Sequence, residues 1–157
     1  MTFTLSTRAE VYKELKEYDK ALADYARAIK ADPEKTQLYK DRAQLLYELE
    51  KYDQADKDYQ KIIEQDQGDV VGYAGLGRNA YARKDYDNAI EKYSYAIKLS
   101  PTYAQGFSFR AESYIGQKKY KEAIDDIISA LEINGDNRAY YLMREVADSA
   151  SVPLIAK

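Results

Sequence analysis

The chain has no cysteine, no histidine and no tryptophan among its 157 residues. Without cysteine there are no disulfides and no thiolate metal sites, and the lack fits cytosol and periplasm alike. Without histidine there is no Ser-His-Asp triad, no imidazole acid–base chemistry and no zinc site of the His/Cys kind. Long apolar runs are missing too: no stretch approaches the roughly 18 residues that a transmembrane helix needs. The N-terminal MTFTLSTRAE lacks the basic start and apolar centre of a secretion signal, which leaves open a leader carried only by a longer parent. Charge of one sign is nowhere concentrated. The net charge is −3 and no long block of like charges occurs, so neither nucleic-acid binding nor membrane insertion is expected.

What is present suits a soluble domain with a core. Apolar residues make up 45% and charged residues 32%, consistent with one modest domain and a wet surface. Tyrosine is over-used, 17 against 3 phenylalanines. It fills space as an aromatic but keeps a polar tip, which suits thin layers close to water.

One pattern is written four times. EYDKALADYARAIKADP (17–33) returns as KYDQADKDYQKIIEQDQ at 51–67, DYDNAIEKYSYAIKLSP at 85–101 and KYKEAIDDIISALEING at 119–135, a constant step of 34. In the first copy Tyr18, Ala21, Leu22, Tyr25, Ala28 and Ile29 recur at spacings of three and four, the period of a helix. Asp19, Asp53 and Asp87 precede the periodic residues and are expected to cap these helices; Lys121 takes that place in the last copy. Pro33 and Pro101 lie past the helix ends, where Gln67 and Gly135 stand in the other copies. The intervening stretches LSTRAEVYKEL, LYKDRAQLLYEL, GYAGLGRNAYA and GFSFRAESYIG are helical as well, joined through short polar turns such as Lys16–Glu17. Nine helices are predicted, roughly over 3–15, 19–31, 36–49, 53–66, 70–83, 87–100, 104–117, 121–134 and 138–149.

Small residues recur in columns: Ala9, Ala43, Gly77 and Ala111 on the first helices, then Ala21, Ala55, Ala89 and Ala123, and Ala28, Ile62, Ala96 and Ala130 on the second. They let antiparallel helices approach. Leu5, Tyr39, Tyr73 and Phe107, with Tyr25, Tyr59, Tyr93 and Ile127, fill the gaps, and Tyr18, Tyr52, Tyr86 and Tyr120 mark every turn. These tyrosines are read as packing residues, without redox or catalytic roles.

A 34-residue helix–turn–helix with small, aromatic and proline columns resembles the tetratricopeptide repeat. The likeness spans residues 2–137 as four units: 2–35, 36–69, 70–103 and 104–137. Departures are few. Leu5 holds the first-helix aromatic position, alanine replaces the usual glycine in all units but the one with Gly77, and Arg8, Arg42 and Arg110 replace a leucine. Each arginine is expected to run its guanidinium past a buried stem to water. Residues 138–149 begin like a fifth unit with Tyr141 in the aromatic column, but Glu145 and Asp148 break the pattern. A capping helix is expected there, one face on the fourth unit and the other in water, followed by a lightly packed tail at 150–157 that contains Pro153. The N-terminal side shows no counterpart cap, which points to an excised segment or the end of a longer array.

The resemblance implies an all-α fold, a right-handed superhelical α–α solenoid of antiparallel helix pairs. The first helices of such a solenoid line a concave face that holds an extended peptide or a helix. The groove columns fall on Ser6, Glu10 and Lys13; on Lys40, Gln44 and Tyr47; on Ala74, Arg78 and Tyr81; and on Gln105, Ser108 and Glu112. Lys40, Gln44, Tyr47, Arg78 and Tyr81 rank first, because tyrosine and arginine are enriched at hot spots and Arg78 neighbours Tyr81 on its helix. The competing reading makes them ordinary solvated residues. Some family members grip the C-terminal carboxylate of chaperone tails with a set of Lys, Asn and Arg. Those positions hold Ser6, Glu10, Asp41, Val71 and Gly75, or, one unit on, Lys40, Gln44, Gly75, Gln105 and Phe109, so no such clamp is expected.

GYAGLGRN (72–79) has the wrong glycine order for a phosphate loop, and it falls inside a predicted helix, where packing explains it better. The acid pairs Asp56–Asp58 and Asp125–Asp126 are expected on solvated outer faces rather than at a metal or acid–base site. The expected function is therefore non-catalytic: a protein–protein interaction module for a peptide or helix, with no cofactor or metal. One alternative is a partner-recruiting region of a larger multidomain enzyme or secretion and assembly protein. Another is a self-associating scaffold, in its simplest form a homodimer.

Overall fold

A computed structural model describes residues 2–134 and 137–150; the predicted tail beyond 150 and the position of Gly135 lie outside the described residues. Among the described residues there are nine helices and no strand: α1 (Thr2–Glu14), α2 (Tyr18–Ala31), α3 (Thr36–Glu48), α4 (Tyr52–Gln65), α5 (Val70–Ala82), α6 (Tyr86–Leu99), α7 (Ala104–Gly116), α8 (Tyr120–Asn134) and α9 (Asn137–Ala150). The chain forms two compact units, Met1–Gly72 and Tyr73–Lys157.

In the first unit α1 lies along α2, α3 along α4, and α2 against α3. Ala9, Ala21, Tyr25 and Leu45 form a buried cluster flanked by Tyr12, Tyr18 and Leu22. Leu5, Ala28 and Leu38 form another. In the second unit α7 packs on α6, α8 and α9, and α8 also packs on α9. Ala80, Ala89 and Tyr93 make one cluster there. Ala111, Ala123, Ile127 and Ala130 make the other, together with Ala139, Leu142 and Val146 of α9. Ala21, Ala55, Ala89 and Ala123 are all 0% exposed, as close helix approach requires. At Gly77 the approach is closer still: a Cβ there would lie 3.0 Å from the Tyr93 ring.

Every first helix ends in the same way. Lys16, Glu50, Lys84 and Lys118 adopt the left-handed conformation, with φ of 59°, 57°, 62° and 60°. The next N–H reaches back into the helix: Glu17 to the Tyr12 carbonyl at 2.8 Å, Lys51 to Leu46 at 2.8 Å, Asp85 to Ala80 at 2.9 Å and Lys119 to Tyr114 at 2.9 Å. A second bond from the left-handed residue itself, three residues back, Lys16 to Lys13 at 2.9 Å in the first copy, completes a Schellman motif. The motif ordinarily takes glycine; here four charged residues carry the strain.

The predicted caps are corrected. Asp19, Asp53 and Asp87 sit inside the first turn, because α2, α4 and α6 start one residue earlier, at the turn tyrosines. Glu17, Lys51 and Asp85 are the N-cap residues, and of these Asp85 alone caps through its side chain, accepting from the Asn88 N–H. First-turn aspartates still favour the helix through its dipole. GYAGLGRN lies within α5.

Candidate functional site

The arginine guanidiniums do not stand free in water, although the Arg8 side chain stays 50% exposed. Each forks onto an aspartate 16 residues further along, on the second helix of its own pair: Arg8 onto Asp24 at 2.6 and 2.8 Å, Arg42 onto Asp58 at 2.8 and 2.6 Å, and Arg110 onto Asp126 at 2.8 and 2.7 Å. The aspartates are 3%, 3% and 5% exposed, so the solvated face expected for Asp58 and Asp126 is corrected too. The hydrogen bond and charge of Arg8 hold the Asp24 carboxyl below its ordinary range, although burial opposes this. The third repeat has Leu76 and Lys92 at these positions. Both members of the pair are replaced together, as expected when neither is tolerated alone.

On the first helices of unit Met1–Gly72, Ser6 donates to the Phe3 carbonyl at 3.0 Å. Glu10 accepts from the buried Tyr25 hydroxyl and pairs with Lys13 at 2.7 Å. Lys40 pairs with Asp69 at 2.6 Å, and Gln44 donates to Glu48 at 2.8 Å. The Tyr47 ring packs on the turn residue Tyr52, centroids 5.7 Å apart. Gly72 and Tyr59, on neighbouring helices, approach closely enough that a Cβ at Gly72 would lie 3.2 Å from the Tyr59 carbonyl.

In unit Tyr73–Lys157, Tyr81 packs on Tyr86 in the same manner, at 5.7 Å, and stays 36% exposed. Burial, then the charge of nearby Glu112, push its phenol pKa up. Glu112 accepts from Arg138 Nε of α9 at 2.8 Å. The Arg138 guanidinium also lies 4.6 Å from the centre of the Phe109 ring, a cation–π distance. Arg78 and Ala74 are half-buried and Gln105 is exposed. Ser108 is 0% exposed, so a partner cannot reach it, and its place among the groove residues is corrected. Arg138 and Phe109 were missed as neighbours of Glu112. Phe109 carried a signal: it is the sole aromatic in a column that otherwise reads Thr7, Asp41 and Gly75.

Among the described residues no helix is long and apolar enough to cross a membrane, and no group of acidic side chains is placed to hold a metal ion. Residues 3–35, 37–69, 70–103 and 104–137 match two family models, both described as tetratricopeptide repeat. The chain belongs to the tetratricopeptide repeat family. Its all-α solenoid fold recurs in solved members. A crystal structure of MamA is 19% identical with a TM-score of 0.79, over 92% of this chain and 85% of that one. A tetratricopeptide repeat protein from Parabacteroides merdae is 26% identical with a TM-score of 0.76, over 96% of this chain and 59% of that one. The first tetratricopeptide repeat domain of Spaghetti, bound to the HSP90 peptide SRMEEVD, is 21% identical with a TM-score of 0.70, over 76% of this chain and 96% of that one. Among curated proteins, no sequence matches the chain.

Proposed function

We propose that this tetratricopeptide repeat chain is a non-catalytic interaction module that holds a peptide or helix of a partner protein on the exposed side of its first helices. One observation carries the reading. In unit Tyr73–Lys157, Tyr81 of α5, Glu112 of α7 and Arg138 of α9 are part-exposed yet held by internal partners: the Tyr86 ring, the Glu112–Arg138 ion pair and the Phe109 ring. Aromatic and arginine side chains anchor interfaces, and side chains already fixed lose little freedom on binding. Arg78 and Gln105 extend this set. Lys40, Gln44 and Tyr47 on α3 offer a separate set in unit Met1–Gly72. A partner of the HSP90-tail kind is not proposed, since the carboxylate-clamp positions hold other residues.

Peptide-display selection on wild type tests this, with Tyr81→Ala and Arg138→Ala compared after circular dichroism shows equal helicity. Enriched peptides should lose about tenfold or more in affinity for the variants. Equal binding to all three proteins would end the reading for this unit; Lys40→Ala/Tyr47→Ala applies the same test to α3.

A further inference from the structure

A cavity of about 420 Å³ opens in unit Met1–Gly72, away from the first-helix candidates, where α2, α3 and α4 meet. Leu22 and Ala26 of α2 and Leu46 of α3 make one wall apolar. Arg42 of α3 and Gln54, Lys57 and Asp58 of α4 make the other polar. Its size is within the range of ligand sites.

The charges in it do not balance. Asp58 is matched by Arg42, whose Nε and Nη2 take both carboxylate oxygens. Lys57 then remains as a positive charge with no ion pair among the described residues. The same junction two repeats further on, between α6, α7 and α8, works as an internal control. There Arg110 again forks onto Asp126, but its third nitrogen, Nη1, donates to Ser94 Oγ at 2.9 Å. The counterpart of Ser94 is Ala26, which has nothing to accept with, and Arg42 Nη1 makes no hydrogen bond among the described residues. The counterparts of Lys57 and Gln54 are Asp125 and Glu122. One junction is therefore self-satisfied and acidic. The other presents a guanidinium N–H, a lysine and an amide beside an apolar wall.

We infer that the α2–α3–α4 cavity is a second binding site, which takes a glutamate or aspartate side chain of a partner protein segment, with an adjoining apolar residue against Leu22, Ala26 and Leu46. The carboxylate accepts from Arg42 Nη1 and Lys57 Nζ, and one incoming negative charge brings the lining to neutrality. The site goes beyond the first-helix reading and stands if that reading fails.

Isotope-labelled full chain titrated with an acetylated, amidated leucyl-glutamate dipeptide, followed by NMR, is the test. Saturating shifts are expected at Ala26, Gln54, Lys57 and the Arg42 Nε–H. Binding should weaken about tenfold for the glutamine version of the peptide and for Ala26→Ser and Lys57→Gln, since a charge-assisted hydrogen bond is lost in each. Ala26→Ser is the sharpest arm: the introduced hydroxyl reproduces the Ser94 contact and occupies Arg42 Nη1. Ala26 and Lys57 are exposed, so both variants keep the fold, which a thermal melt verifies. Shifts elsewhere, or none, would overturn the site. Equal affinity for the glutamine peptide would overturn the carboxylate, and equal affinity for free isocaproate would overturn the peptide as its source.

Discussion

Replacing Arg42 by leucine should destabilise the fold by about 3 kcal/mol, and replacing Asp58 by leucine in the same chain should restore most of it. Asp58 is 3% exposed, and both its oxygens are held by one guanidinium, at 2.8 and 2.6 Å. Removing the arginine leaves a buried carboxylate unpaired, a change that costs about 3–5 kcal/mol in general. The Arg42 side chain is 24% exposed, so water reaches part of the gap, which places the expectation at the low end. The paired leucines remove both charges, and the double variant should lie within about 1 kcal/mol of wild type. The third repeat already does without the pair, with Leu76 in the arginine position and Lys92 in the aspartate position. Urea unfolding would be followed by circular dichroism and by tyrosine fluorescence, because coincident curves are needed before a free energy is extracted. In a thermal melt the single variant should fall by about 6–12 °C. A single variant within about 0.5 kcal/mol of wild type, or a double variant no better than the single, would refute the account of a buried, mutually dependent pair.

Other outcomes follow from the same packing. Glycine at Lys16, Glu50, Lys84 or Lys118 should stabilise by about 0.5–1 kcal/mol each, the relief of a left-handed side chain less the added freedom of the unfolded chain, while alanine should give no gain; melting temperatures decide. Gly116→Ala should cost about 1–3 kcal/mol despite alanine's better helix propensity, because a Cβ would lie 2.6 Å from the rigid Tyr86 ring; urea midpoints check it. Asp24 has a lowered carboxyl pKa in the fold, so its contribution is present above the ordinary carboxylate value of about 3.9 and is lost as pH falls below it. Asp24→Asn should therefore narrow the stability gap to wild type on acidification, and an unchanged gap would contradict the assignment.

Helices and their packing columns were legible before any coordinates, because period and residue size are local properties. Tyr25, Ala28 and Ile62 advertise burial by being apolar at helical spacing, and the structure buries them fully. Polar residues carry no such mark. Asp58 and Asp126 sit among lysines and acids in the chain, and only the neighbouring helix, which brings Arg42 and Arg110 against them, decides that they lie inside. A trace was nevertheless present: arginine and aspartate recur together 16 residues apart in three repeats and vanish together in the other. The candidate site divides along the same line. Its face was set by repeat position, but availability was not: Ser108 turns out buried, Tyr47 and Tyr81 lean on the turn tyrosines, and Glu112 is held by Arg138 from α9. Periodicity alone determined where helices run and which columns touch. Which polar groups are spent on each other, and which remain for a partner, depended on distances across helices that only the tertiary structure decides.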